Sequence, residues 1–186
     1  MQVKSLTLWL VAAVCIGPMA LAWLLYFGPF DVADLPRLAG SRELVRPGVV
    51  LPEALRPEAE AADAPAPWAL IYVQTSACDS ACGEAVERIA AVRLALGDDL
   101  RRVRRKLVHG GERPSSADDA TLDVVRIDAG RDADWLAAVA TDEQLRAGRI
   151  LIADPLGNLV ASYPPDVAQK ELLRDLKRLL SVSQIG

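Results

Sequence analysis

Hydrophobic positions along the chain fall into three patterns, and each predicts a different element. The first is an unbroken apolar run over residues 6–27, "LTLWLVAAVCIGPMALAWLLYF", with no charged side chain. As a helix it would extend roughly 33 Å, enough to cross a bilayer core. The second pattern is the short run. Residues 68–74, "WALIYVQ", are continuously apolar up to the final glutamine, as expected of a central strand covered on both faces. Residues 103–109, 122–127, 150–153 and 159–163 read as further strands, the last two flanking the turn "DPLGN" and so forming a hairpin. The third pattern is helical. Ala85, Val86, Ile89, Val92 and Leu96 give a helix over residues 81–96 that Gly97 ends. "DADWLAAVA" gives a short helix with Trp135 facing the core, and Leu172, Leu173, Leu176, Leu179 and Leu180 line one face of a closing helix over residues 167–180.

Between the first run and the strands lies a different composition. Residues 28–67 carry seven prolines and the stretch "EAEAADAPAP", which has no apolar period, so they read as an extended tether from which Val49, Val50 and Leu51 could dock on a folded domain. The resulting organisation is a cytoplasmic end at 1–5, a transmembrane anchor at 6–27, a tether at 28–67 and a compact domain at 68–186. Ala20 to Ala22 resembles a signal-peptidase site, but the apolar pattern continues through Phe27, which favours an uncleaved anchor. Lys4 precedes the run while Asp31 and Asp34 follow it, so the short amino end stays inside and the domain is exported, in a bacterium to the periplasm. Cys15, inside the run, reads as a packed small hydrophobe rather than a lipidation site, because Val14 precedes it.

Composition adds little beyond this. A chain of 186 residues with 52% hydrophobic and 25% charged residues fits one globular domain plus an apolar segment. The basic run "RRVRRK" would suggest nucleic acid, but the net charge is −4 and the domain is expected outside the cytoplasm. A solvated face, or contact with an acidic partner or lipid headgroups, suits it better.

Chemistry concentrates in "QTSACDSACGEAV", where Cys78 and Cys82 stand four residues apart between the first strand and its helix. A thiolate at a helix amino terminus is stabilised by the helix dipole and free N–H groups, although the charge of Asp79 opposes this. On a regular helix this spacing leaves the two Cα atoms near the upper limit for a disulfide, so unwinding of the first turn would help the bond close. So short a loop gains little entropy from closure, which makes a pure staple inefficient and favours a redox or metal role. Two such thiolates would also accept a soft copper(I) ion. The order strand, dithiol, helix, strand, strand, helix, hairpin, helix is that of an α/β thioredoxin-like fold with one added strand-helix unit.

Thr75 to Cys82, "TSACDSAC", after an apolar strand, with Asp154 to Val160, "DPLGNLV", late in the chain and an amino-terminal anchor, resembles the Sco/SenC proteins. That resemblance covers residues 68–180 and implies a membrane-tethered, thioredoxin-like protein delivering copper or reducing equivalents while the binuclear copper centre of cytochrome c oxidase is assembled. The segments "AVRLALGDDLRRVRR" and "DLKRLLSVSQIG" resemble a divergent branch of short membrane proteins of bacterial oxidase biogenesis. Two departures stand out. The family's third copper ligand, a histidine shortly before the strand leading to the D-P-x-G turn, is replaced by Arg146 or Arg149, and a guanidinium is no copper ligand. The family's proline after the second cysteine is Gly83.

His109 is the chain's one histidine. At the carboxyl end of a strand parallel to the first it could reach Cys78 as a base or substitute ligand; as a loop residue beside Gly110 and Gly111 it would be exposed. Asp154 is expected to serve its turn. The leading expectation is dithiol/disulfide exchange through Cys78, the more exposed attacking thiol, and Cys82, the resolving one, on a cytochrome c oxidase subunit or another assembly factor, with transient copper(I) binding by Cys78, Cys82 and His109. The alternatives are a non-catalytic interaction module that holds its partner through the basic face around a structural disulfide, and a thiol peroxidase in which Thr75 and an arginine assist an activated cysteine.

Overall fold

The computed structural model describes residues 16–17, 43–44, 48–59, 65–111, 121–128 and 130–183. The chain divides into two units, Met1–Gly40 and Ser41–Gly186. Of the first, Ile16 and Gly17 are described, both helical and exposed. The expected anchor otherwise lies outside the described residues, as do most of residues 28–47 and the connector 112–120. Among the described residues no helix is long and apolar enough to cross a membrane.

The second unit is built on a six-stranded sheet. Its strands are β1 (Glu43–Leu44), β2 (Trp68–Gln74), β3 (Val103–His109), β4 (Leu122–Arg126), β5 (Arg149–Ala153) and β6 (Leu159–Tyr163), arranged β1-β6-β5-β2-β3-β4. β2, β3 and β4 are parallel neighbours, and β5 returns antiparallel on the other side of β2. The helices are α1 (Ser80–Leu94), α2 (Ala133–Val139), α3 (Asp142–Ala147) and α4 (Gln169–Val182). This is the expected β-α-β unit followed by a β-hairpin and closing helix, with β4 and its helices added between them.

All seven residues of β2 are buried, because both faces of the sheet are covered. On one face Leu70, Tyr72, Leu107, Ile150, Ile152 and Ala161 meet Cys82, Ala85, Val86, Ile89 and Val92 of α1 and Leu172, Leu176 and Leu180 of α4. On the other, Ala69, Ile71, Val73, Val108 and Leu151 meet Leu136, Val139 and Leu145 of α2 and α3 together with Leu51 and Leu55. Trp135 packs against this second cluster, half-buried.

Leu51 and Leu55 correct the expected domain boundary. The folded unit starts well before residue 68. Val50 bridges Asn158, the Leu51 N–H donates to Gly157 O at 2.8 Å, and the Leu159 N–H donates to Val49 O at 2.9 Å. β1 adds itself to β6 in antiparallel register, Glu43 facing Ser162. The cause is uncovered apolar surface. Two short helices leave part of the second face bare, and Leu51 at 1% exposure and Leu55 at 3% close it despite the prolines around them.

The basic run is corrected too. Arg105 and Lys106 are 3% and 7% exposed, so they are strand residues inside the sheet and not a solvated face. Arg105 Nη2 donates to Thr121 Oγ1, and Lys106 Nζ lies 3.4 Å from the Asp123 carboxylate on β4. Their stems lie on strand surface while their charged ends find partners at its margin, as long cationic side chains can do. α3 is the element absent from the hydrophobic pattern. A reciprocal capping box starts it, with the Gln144 N–H donating to Thr141 Oγ1 and the Thr141 N–H donating to Gln144 Oε1.

Leu51→Ala is expected to destabilise the protein by about 2–5 kcal/mol, the usual range for emptying a fully buried leucine site. Leu94→Ala, at a position 69% exposed, should change little. Urea denaturation of the two variants checks that residues 48–59 are part of the fold.

Candidate active site

The chain leaves β2 at Gln74, passes through Thr75, Ser76 and Ala77, and enters α1 with Asp79 as its N-cap. Cys78 therefore sits just before the N-cap, two residues ahead of the first helical residue, and Cys82 sits in the first turn. Their sulfurs are bonded, with the Cα atoms 5.2 Å apart. The extended conformation of Asp79 supplies the unwinding that the spacing called for. Cys82 is completely buried and belongs to the core cluster, while Cys78 packs against that cluster half-buried. The pair thus has one sulfur at the surface and one in the core.

Asp79 restricts the electrostatics. Its Oδ1 accepts the Cys82 N–H at 3.0 Å, so one of the free donors at the helix start is already used.

Two glycines hold the approach to Cys78. The β2 and β3 ends run side by side, Gln74 in register with His109, and the Gly110 N–H donates to Gln74 O at 3.1 Å. A Cβ on Gly110 would lie 1.9 Å from Thr75 O, and one on Gly111 would lie 2.5 Å from Ala77 Cα. From the other side, the Thr75 N–H donates to Leu145 O at 3.1 Å. The segment leading to the disulfide is therefore clamped by backbone from β3 and from α3.

Beneath it runs a chain of side chains. Tyr72 Oη donates to Gln74 Oε1 at 2.9 Å, and Gln74 Nε2 donates to Ser76 Oγ at 2.7 Å. Tyr72 is 0% exposed and Gln74 4%. Burial, with the nearby Asp79 carboxylate adding to it and Arg88 opposing, pushes the Tyr72 hydroxyl up to about 12, so it stays protonated and acts as a donor. Gly148, at φ +90°, lies against this ring, since a Cβ there would fall 2.0 Å from Tyr72 Oη.

His109 is not an exposed loop residue. It ends β3 at 2% exposure, and strand alternation puts it on the face of Leu107, and hence of Tyr72 and Gln74. Glycine-rich sequence beside it suggests a loop, but those glycines are needed for contact with Thr75 and Ala77. The structure brings Cys78 and Cys82 together and does not assemble His109 with them into a three-donor group; among the described residues no group of three or more His, Cys, Asp or Glu is placed to hold a metal ion. Arg149, at the start of β5, is 5% exposed and sends Nε and Nη2 to Ser162 Oγ at 3.0 and 2.8 Å. Arg146 is exposed in the last turn of α3. Where a third copper donor would be expected there is a guanidinium engaged elsewhere, so the residues present do not fit a three-ligand copper site.

Asp154 serves the hairpin turn as expected, its Oδ1 accepting the N–H groups of Leu156 and Asn158 at 2.9 and 2.8 Å. Thr75 is half-buried, and its N–H donates to Leu145 O.

A sheet of this topology with a disulfide at the β2–α1 junction defines a thioredoxin-like domain. Residues 68–183 match the family model described as "Transmembrane-like, thioredoxin-like, C-terminal domain", and the chain belongs to that family. No curated protein matches the sequence. Among solved structures, the chain is similar to Bradyrhizobium japonicum ScoI with copper bound, at 20% identity and a TM-score of 0.43, covering 60% of this chain and 84% of that one. It is similar to Arabidopsis thaliana ScoI with copper bound at 11% identity and 0.48, covering 63% and 86%. It is also similar to the thioredoxin domain of a thiol-disulfide oxidoreductase from Bacteroides vulgatus, at 16% and 0.43, covering 61% and 79%.

Tyr72, Gln74 and the three glycines were not singled out by sequence reasoning. The available signals were a hydroxyl and an amide inside an otherwise apolar strand, which need partners when buried, and a Gly-Gly pair at a strand end.

Gly111→Ala should cost about 1–3 kcal/mol or more, because the clash is with backbone and Cβ of Ala77 rather than a flexible side chain. Gly83→Ala, with open space at its Cβ and a helical position, should be neutral or stabilise by up to about 1 kcal/mol. Denaturation of both variants in the oxidised state is the check.

Proposed function

We propose that this protein is a membrane-tethered thiol-disulfide exchange factor that keeps a copper-site disulfide of cytochrome c oxidase, or of another assembly factor, reduced during oxidase biogenesis. Residues 6–27 anchor it, and the domain works in the periplasm. The observation that carries the reading is the asymmetric pair, with half-buried Cys78 preceding α1 and fully buried Cys82 in its first turn. That is the geometry exchange requires. In the reduced protein the Cys78 thiolate attacks one sulfur of the partner disulfide, forming a mixed disulfide and releasing the other partner sulfur as a thiolate. The Cys82 thiolate then attacks Cys78 Sγ, the mixed disulfide breaks, and the second partner sulfur leaves. The Cys78–Cys82 bond seen here is the product, and a dithiol reductant on the same side of the membrane restores the thiols.

The oxidase setting rests on the Sco/SenC resemblance of residues 68–180. Copper is not given a step. The third donor of that family is absent, and the engaged guanidinium of Arg149 stands in its neighbourhood.

Cys82→Ser in the full chain should trap a mixed disulfide through Cys78, visible as a partner-sized shift on non-reducing gels after acid quenching, while Cys78→Ser should not. Neither variant should deliver the fully reduced partner: Cys78→Ser leaves the partner's disulfide intact, and Cys82→Ser holds one of its sulfurs in the mixed disulfide. Normal oxidase assembly in a strain carrying both substitutions rules the proposal out.

A further inference from the structure

Opening the disulfide leaves Cys82 in a difficult position. Its sulfur is in the core, and a buried thiolate is costly unless a donor faces it. The N–H of Cys82 itself is committed to Asp79. The packed cluster that holds Cys82 contains two hydroxyls, those of Tyr72 and Tyr163. Tyr163 is occupied by α4, its Oη lying 3.0 Å from the Asp175 carboxylate. Tyr72 lies near the carboxyl end of β2, where the chain turns towards the cysteines, and it shares the α1 side of the sheet with Gln74. Burial, with the Asp79 charge adding to it and Arg88 opposing, keeps its hydroxyl protonated. The absent side chain of Gly148 leaves the space this hydroxyl fills.

We infer that Tyr72 is a positioning residue for the redox pair: when the disulfide opens, its O–H turns from Gln74 Oε1 to the Cys82 sulfur and stabilises the reduced state. The inference deepens the exchange reading and rests on it. Reduction takes two electrons from a partner dithiol, whose sulfurs become joined, and its two protons can end on the cysteine sulfurs. The tyrosine is neither oxidised nor deprotonated; it lends a hydrogen bond to the thiolate that resolves the mixed disulfide. The other charged or titratable groups on this side, Asp79 and Arg88 from α1 and His109 in register with Gln74 on β3, are unchanged in the variants that test it.

The test is the reduction potential of the full chain in detergent, equilibrated at pH 7 with glutathione redox buffers and read by thiol-alkylation mass shift. Tyr72→Phe should disfavour reduction about tenfold, a potential about 30 mV more negative. Gln74→Leu removes the rival acceptor and should shift the potential the opposite way. Tyr163→Phe should leave it unchanged. A Tyr72→Phe potential equal to wild type overturns the inference, as does an equal shift in Tyr163→Phe. Should Tyr72→Phe not fold, the sign of the Gln74→Leu shift decides. The readout involves no oxidase, so these shifts can stand even if oxidase assembly proves independent of the cysteines. A wild-type disulfide that excess dithiothreitol cannot open overturns both readings.

Discussion

Strand β2 is buried along its whole length, and the placement of the sulfur pair follows from that burial. A strand covered on both faces cannot shift its register without sending every side chain to the opposite face, where the close-packed neighbours do not fit it. Its last residue is therefore fixed in space, and the next residues must emerge at the carboxyl edge of the parallel strands. There they meet backbone from two directions, Gly110 and Gly111 from β3 and Leu145 from α3. Asp79 then starts α1 by capping its first turn. Core packing sets the axis, glycine contacts set the height of the loop, and the cap sets the rotation that puts Cys82 inward.

The parts of this arrangement legible in the sequence are those written in apolar periodicity. β2, β3 and the hairpin strands β5 and β6 come from short runs bounded by turn residues, and α1 and α4 from stripes at helical spacing. α3 was hidden because six residues are too few to show a period, although the Thr141 to Gln144 capping box marks its start. Residues 48–59 look like tether because they lie in a proline-punctuated stretch without a sustained apolar period, yet two leucines at the right separation outweigh that bias once bare sheet is available to cover. Arg105 and Lys106 were misread because charge predicts exposure only when no partner lies next to the residue, whereas His109 ends its strand as one of its two readings had it and is buried. Within the site, the cysteines were legible and the polar chain under them was not, because hydrogen bonds between Tyr72, Gln74 and Ser76 leave no spacing signal.

Arg149 shows how the same scaffold can favour one chemistry over another. A guanidinium held by Ser162 at the start of β5 adds fixed positive charge there and offers no nitrogen lone pair. Two sulfurs without a third donor make a weak metal site, and under the exchange proposed above the Tyr72 hydroxyl would give the reduced sulfur a hydrogen-bond donor in a dry environment.

The unequal exposure of the two sulfurs also governs time. A molecule arriving from outside reaches one end of the bond, and whatever covalent adduct it forms there faces a second sulfur it cannot touch. In the proposed exchange, the duration of that encounter is timed from the protein interior, by how readily a hidden nucleophile turns outward.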